Sequence, residues 1–409
     1  MNPLTRWRSL LVIALLALAA CGNNNTASSP TQAPAAPSAP EATTAPAATT
    51  APQATTAPSG NDSTAGDLQV DSSKLSKQLN IYNWSDYIDP TVLGQFKTEY
   101  GVEVVLDVFD SNEDMIAKVR PGNSGYDVAF PSDYAVEIMA KDKLIIPLDK
   151  TLLPNIKNIK PANLGLYYDK DNTYSMPYNL GTTGIGYLKS KFPTPPDSWA
   201  IMFDPAQAEQ TQKNGGFTML DDERETPGAA LRYLGKSLNE TDATVLKQVE
   251  DVLKAQKPFV GAYDSSSTSR KLSSGEIIAV HIYNNAALQA KLGLTDEYPG
   301  NPDVGFFIPK EGGTIWQDNM VILADSPNAY TAHVFMNFMM RPEIAAKNAE
   351  YLLGISPNAE ADKLLPAAIQ EAQKEGFAPD AETMKRLEWI QRNDKTIVFT
   401  DLWTAVKGE

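Results

Sequence analysis

The stretch LNIYNWSDYIDPTVLGQFKTEYGVEVVLDVF, residues 79–109, decides how the chain folds. Residues 79–82 form a short apolar run suited to a buried strand. Asp89-Pro90 then opens a helix, with Asp89 as N-cap and Pro90 in the first turn, where a missing N–H is no loss. Val92, Leu93, Phe96 and Tyr100 recur at helical spacing, and Gly101 closes the helix. Residues 102–109 are a β-branched strand. The alternation continues with a helix over 112–119, a strand over 126–130 and a helix over 132–140. This order predicts an α/β fold built on a mixed, mainly parallel sheet flanked by helices.

Ligands of such sheets sit at the carboxyl ends of strands. Two of those ends are unusual here. One is Asn83-Trp84-Ser85-Asp86-Tyr87, the other Pro131-Ser132-Asp133-Tyr134. Each sets a hydroxyl two residues from a tyrosine, and in extended backbone the pair faces one way. Ser132 also fits the N-cap of its helix, and that role does not exclude a ligand contact.

The N-terminus addresses location. Arg6 and Arg8 precede an apolar run over 10–20 that is too short for a stable membrane anchor. Residues 1–20 are therefore expected as a signal peptide. Leu18-Ala19-Ala20-Cys21 resembles a bacterial lipobox, so Cys21, the only cysteine, is expected to carry lipid. Residues 21–75 are expected as a tether, rich in Ala, Pro, Thr and Ser as far as residue 67 and too poor in apolar surface to offset its ordering entropy. A lone cysteine also excludes an internal disulfide.

Some 340 residues remain, more than one core usually accommodates, so two lobes are expected. We place lobe 1 at 76–176 and 316–362, and lobe 2 at 177–315 and 363–409. The stretch 174–187, with its glycine-rich GTTGIGY, is read as crossing between lobes into a new sheet. Further strands are expected at 217–220, 277–283, 304–308 and 315–323, and helices at 329–340 and 342–351, followed by a helical tail. A helix starting at Thr226-Pro227 would leave Asp222 and Glu225 in a loop, although Asp222-x-x-Glu225 also reads as a capping box.

The formal charge of −15 argues against nucleic acid, whose phosphates demand Lys and Arg. Local motifs for thiol, zinc or phosphoryl chemistry are absent from the sequence. His281 and His333 lie in apolar runs and read as packed side chains. Aromatic rings interleaved with acids suit an alkyl-diammonium ligand. Ring faces attract charged nitrogens, and carboxylates must pair each ammonium, because a buried unpaired charge is prohibitive. Trp316 and Asp318, two apart on a strand, share a face.

The stretches YNWSDYI, SNEDM, YDVAFPSDY, YSMPYNLGTTGIG, LDDERE, PKEGGTIWQDNM and SPN occur in this order between Tyr82 and Asn358. In them the chain resembles the periplasmic spermidine/putrescine-binding proteins of polyamine ABC transporters, and the likeness runs from about residue 78 to the C-terminus. The resemblance implies a two-lobed type II periplasmic-binding fold joined by hinge crossings, with a polyamine clamped between the lobes. It implies contacts from Trp84, Ser85, Tyr87, Ser132 and Tyr134. Asp222 and Glu225, with Arg224 between them, would hold one end of the ligand, and Trp316 and Asp318 would form a wall and a counter-charge. Tyr283 stands where the spermidine pattern has tryptophan. A tyrosine of the pattern is replaced by Gly354 or Ile355, and its C-terminal glutamine falls on Ile390 or Gln391, of which we take Gln391.

The expectation is thus a monomeric, lipid-anchored extracytoplasmic protein, without metal, cofactor or catalysis, that hands a polyamine to an ABC permease and its ATPase. The alternatives are a binder of an amino acid, a sugar or a ferric ion, a polyamine sensor, or a secreted glycosidase using Asp222 with Asp318. An amino acid would need Arg224 for its carboxylate, and iron would call on Tyr167-Tyr168.

Overall fold

The structure is a computed structural model that describes residues 68–293, 298–391 and 395–408. The expected signal, Cys21 and the tether through residue 67 lie outside the described residues. Residues 68–75, expected as the end of the tether, instead pack: Leu68, Val70 and Leu75 lie against the first core cluster. The hydroxyls of Tyr330 and Thr331 accept the N–H groups of Asp71 and Ser76.

Nine strands are present among the described residues: β1 (Gln78–Trp84), β2 (Glu103–Phe109), β3 (Val128–Ala129), β4 (Ser175–Leu188), β5 (Phe217–Thr218), β6 (Ala279–Tyr283), β7 (Val304–Phe307), β8 (Gly313–Ile322) and β9 (Leu387–Trp389). They form one sheet in the order β2-β1-β3-β8-β4-β6-β5, with β7 on β4 and β9 on β8. Pairings β1–β2, β1–β3, β5–β6 and β8–β9 are parallel, and those made by β4 and by β3 with β8 are antiparallel. The chain therefore enters no second sheet at 174–187. The 14-residue β4 pairs with β8 through its first half and with β6 and β7 through its second.

The helix Pro90–Tyr100 is capped as its sequence predicts. The Asp89 carboxylate accepts the Thr91 N–H, and Gly101 takes the left-handed conformation at φ 70°. The helix Asn112–Val119 also has its expected bounds, with the Ser111 hydroxyl accepting the Asp114 N–H. Along β1, Leu79 and Ile81 enter one apolar cluster with Val92, Phe96 and Phe335. Tyr82 enters another with Phe109, Met115 and Val136, so helices cover both faces. Each fully buried side chain such as Phe96 contributes roughly 1.5–3 kcal/mol. Two further clusters, around Trp199, Phe217 and Phe399 and around Ile282, Phe306 and Phe377, sandwich the β4–β7 end of the sheet. The cores thus fall into two groups along one sheet.

The tail departs from the expected helices. It contains helices Ala367–Ala372 and Ile397–Lys407, but β9 adds a parallel strand to β8 between them.

Candidate ligand-binding cleft

The ends of β1, β2, β3, β5 and β6, together with β8, surround a cleft of about 460 Å³. Its acids are Asp110, Glu113, Asp133, Asp222, Glu225 and Asp318, and its rings are Trp84, Tyr87, Tyr134, Tyr283 and Trp316. Alternation along β8 builds the floor. Thr314, Trp316 and Asp318 line the cleft, while Gln317 and Asn319 point away into a buried network with Asn163 and Tyr168.

The loop after β1 is held by buried Asn83, whose amide accepts the Trp84 N–H at 2.8 Å and donates to the Tyr87 carbonyl at 3.2 Å. Asp86 adopts a φ of 52°, a left-handed conformation that Asp tolerates better than most residues. That reversal breaks the extended alternation, so Tyr87 turns inward and Ser85 is exposed outside the cleft. The Trp84 indole N–H donates to the Phe130 carbonyl at 2.9 Å, and its ring packs against Phe109.

Asp318 is a buried acid of the cleft, 5% exposed. Its carboxylate accepts from the Tyr87 hydroxyl at 2.6 Å and the Ser132 hydroxyl at 2.7 Å. Asn179 orients Tyr87 by donating to its oxygen at 2.7 Å, and Asn112 donates to both Ser132 and Tyr134. Ser132 stands at the N-cap position of the helix Asp133–Lys141, yet its hydroxyl caps nothing and goes to Asp318 instead. Burial pushes the Asp318 carboxyl up to about 6, against the lowering effect of those two hydroxyls.

After β5, Asp222 accepts the N–H groups of Arg224 and Glu225 at 2.7 and 2.8 Å, so it caps the helix Glu225–Tyr233. Glu225 does not reach back to complete a capping box. Its oxygens accept from Thr183 at 3.0 Å and Thr314 at 2.8 Å. Burial, then the neighbouring Asp222, raises it to about 8. The Arg224 guanidinium donates to the carbonyls of Gln391 and Leu238 and to the Asn239 amide, and it stacks over Phe399 at 4.1 Å.

Trp316 stands edge-on to Tyr283, ring centres 6.2 Å apart. It lies so close over Gly181 that a Cβ there would fall 1.9 Å from its ring. Of the two C-terminal candidates, Ile390 lines the cleft, whereas Gln391 is exposed and its backbone N–H and carbonyl engage Asn239 and Arg224. A Cβ on Gly354 would meet the Asn179 amide at 2.3 Å, and Ile355 packs with Leu180 and Ile315. No side chain at 354 could enter while Asn179 orients Tyr87.

His281 is buried beside Trp199, which drives its pKa down to about 3. His333 accepts the Asp149 N–H through Nε2 and bonds the Ala329 carbonyl through Nδ1. The Tyr167 and Tyr168 hydroxyls are spent on Ile390 and Asn319, and neither residue lines the cleft. Asn112, Asn179 and Asp133 are among the site residues that the sequence did not single out, as are Asp110, Glu113, Thr183 and Thr314.

Residues 91–376 match the family of bacterial extracellular solute-binding proteins. The chain belongs to this family. Its curated relatives include the putrescine/cadaverine-binding protein of Pseudomonas aeruginosa, 35% identical over 81% of this chain and 94% of the relative. Another is the spermidine/putrescine-binding periplasmic protein of Escherichia coli, 36% identical over 76% of this chain and 86% of the relative. Among solved structures, the putative spermidine/putrescine ABC transporter of Listeria monocytogenes is similar with a TM-score of 0.71 and 37% identity, over 81% of this chain and 99% of that one. The fold is the type II periplasmic-binding architecture expected from the sequence. The family is one of transport proteins that bind substrates, not of enzymes. Among the described residues of this solute-binding protein, no helix is long and apolar enough to cross a membrane.

Proposed function

We propose that this solute-binding protein captures a linear polyamine, putrescine or spermidine, in the cleft and delivers it to an ABC permease and its ATPase. One observation carries the reading. The cleft is lined by six acids, while its one cation, Arg224, is already held by carbonyl and amide oxygens and by Phe399. A cationic ligand would supply the missing counter-charges. The rings of Trp84, Tyr134, Tyr283 and Trp316 would cover its methylenes at about 0.8 kcal/mol per buried CH₂ and face its nitrogens.

Asp318, with Tyr87 and Ser132 fixing it, would pair one ammonium, and Asp222 with Glu225 another. An amino-acid ligand fits less well, because its carboxylate would meet acids and an occupied arginine. The names of the relatives support the same ligand class. Ligand contacts from both sides would draw two lobes together about β4 and β8, shifting the population toward a closed form. The protein would act as a monomer held to the membrane through lipid on Cys21.

Isothermal titration calorimetry with putrescine and with spermidine tests this. Saturable binding of at least one is expected, and no heat from either at micromolar protein would end the polyamine reading.

A further inference from the structure

We propose that Asp133 is an additional ligand carboxylate, which joins Asp318 in receiving one terminal primary ammonium of the polyamine. This rests on the polyamine reading above.

Asp133 opens the helix Asp133–Lys141, between the two contact residues Ser132 and Tyr134. It lines the cleft although only 2% of its surface is exposed. Its Oδ1 accepts the Tyr134 N–H at 2.6 Å. The Gln317 N–H of β8 lies near enough to lower the pKa of this carboxyl, which places it beside β8 one residue from Asp318. Its Oδ2 is buried and receives no donor. A buried acceptor left unmade is costly to the fold and calls for a physical explanation.

A primary ammonium carries three N–H donors around one charge. The two Asp318 oxygens each accept one hydroxyl, which leaves lone pairs on both, and Asp133 Oδ2 is wholly uncommitted. Two adjacent carboxyls therefore match a terminal –NH₃⁺ better than a nitrogen whose hydrogens are replaced by carbon.

The groups facing Asp133 are Asp318 on β8, Glu225 on the helix Glu225–Tyr233, and the phenols of Tyr167 and Tyr168. None of them carries a positive charge. Burial, with the Asp318 and Glu225 charges adding to it, holds the Asp133 carboxyl well above the usual carboxylate range in the empty cleft. The incoming ammonium favours the ionised form. Binding then exchanges the carboxyl proton for the ligand's positive charge, and the proton leaves to buffer.

The test is putrescine calorimetry on the whole protein at pH 7, in phosphate and in Tris, whose different ionisation enthalpies report protons released. Asp133→Asn keeps an acceptor for the Tyr134 N–H but presents a donor in place of Oδ2. Asp133→Thr keeps a helix-starting residue without charge. Both variants are expected to bind about 30-fold more weakly and to release fewer protons per ligand than wild type. Binding by either folded variant within about threefold of wild type overturns the proposal. So does a weakened variant whose proton release is unchanged, which would make Asp133 a positioning residue only. Wild-type protein that binds putrescine without releasing a proton also overturns it, whatever the variants' folding. Wild-type protein that binds neither putrescine nor spermidine overturns the polyamine reading instead.

Discussion

Replacing Asp318 by Asn removes a charge while nearly preserving shape, and the structure sets the size of the effect. The side chain is 5% exposed, and no lysine or arginine pairs with it among the described residues. In the proposed complex, a ligand ammonium would supply its counter-charge. With the carboxyl at about 6, wild type is roughly nine-tenths ionised at pH 7, so little is spent preparing it. Leaving a desolvated ammonium beside a neutral amide costs about 3 kcal/mol or more. Putrescine Kd should rise by roughly two orders of magnitude. Stability should move the other way. A carboxyl raised from 3.8 to about 6 is a group the fold prefers protonated. Its stabilising contribution is complete below 3.8 and lost as pH rises through 6, about 3 kcal/mol in all. Asn mimics the protonated state, so the empty variant should melt no lower than wild type at pH 7. Calorimetry and thermal melts give both numbers, with Ser85→Ala as a control that should leave Kd unchanged because Ser85 is exposed outside the cleft. A Kd for Asp318→Asn within about threefold of wild type would falsify the assignment of this carboxylate to the ligand.

Three further outcomes are expected. Gly181→Ala places a Cβ 1.9 Å from the Trp316 ring and must push that wall aside. Putrescine affinity should then fall at least about tenfold, the scale of one lost cation–π contact, and an unchanged calorimetric Kd would show that Trp316 does not touch the ligand. Glu225 sits at about 8, so its contribution to stability is present below 4.5 and lost as pH rises through 8. Between pH 6 and 9 the empty protein should melt lower as polyamine affinity rises. Glu225→Gln should flatten both profiles, and parallel pH slopes in wild type would contradict the linkage. Cys21→Ser should abolish incorporation of labelled fatty acid in bacteria, whereas label retained in that variant would remove Cys21 as the anchor.

What was legible in the sequence was local. Asp89, Pro90 and Gly101 bound one helix because capping acts within a single turn, and Ser111 starts another for the same reason. Trp316 and Asp318 were legible as a pair because strand alternation is fixed by the pleat. The same rule failed at Ser85. It assumed extended backbone, and one residue of positive φ at Asp86 rotates Tyr87 inward and Ser85 out. At Ser132 the N-cap rule correctly placed the residue but not its hydroxyl, which a carboxylate 186 residues away outcompetes for. β9 escaped notice because a three-residue strand has no period of its own and exists only through pairing with β8. Asn112, Asn179 and Asp133 were invisible for a related reason. Asn112 acts through Ser132 and Tyr134, Asn179 through Tyr87, and Asp133 through its proximity to Asp318. Charge identity can be read from a sequence, but the depth at which a charge is buried is a property of the whole fold. That depth is what separates Asp133, Glu225 and Asp318, all buried, from exposed acids such as Asp110 and Glu113. It places Asp318 at about 6 and Glu225 at about 8, so the empty site sits where a cation and a proton compete for the same oxygens.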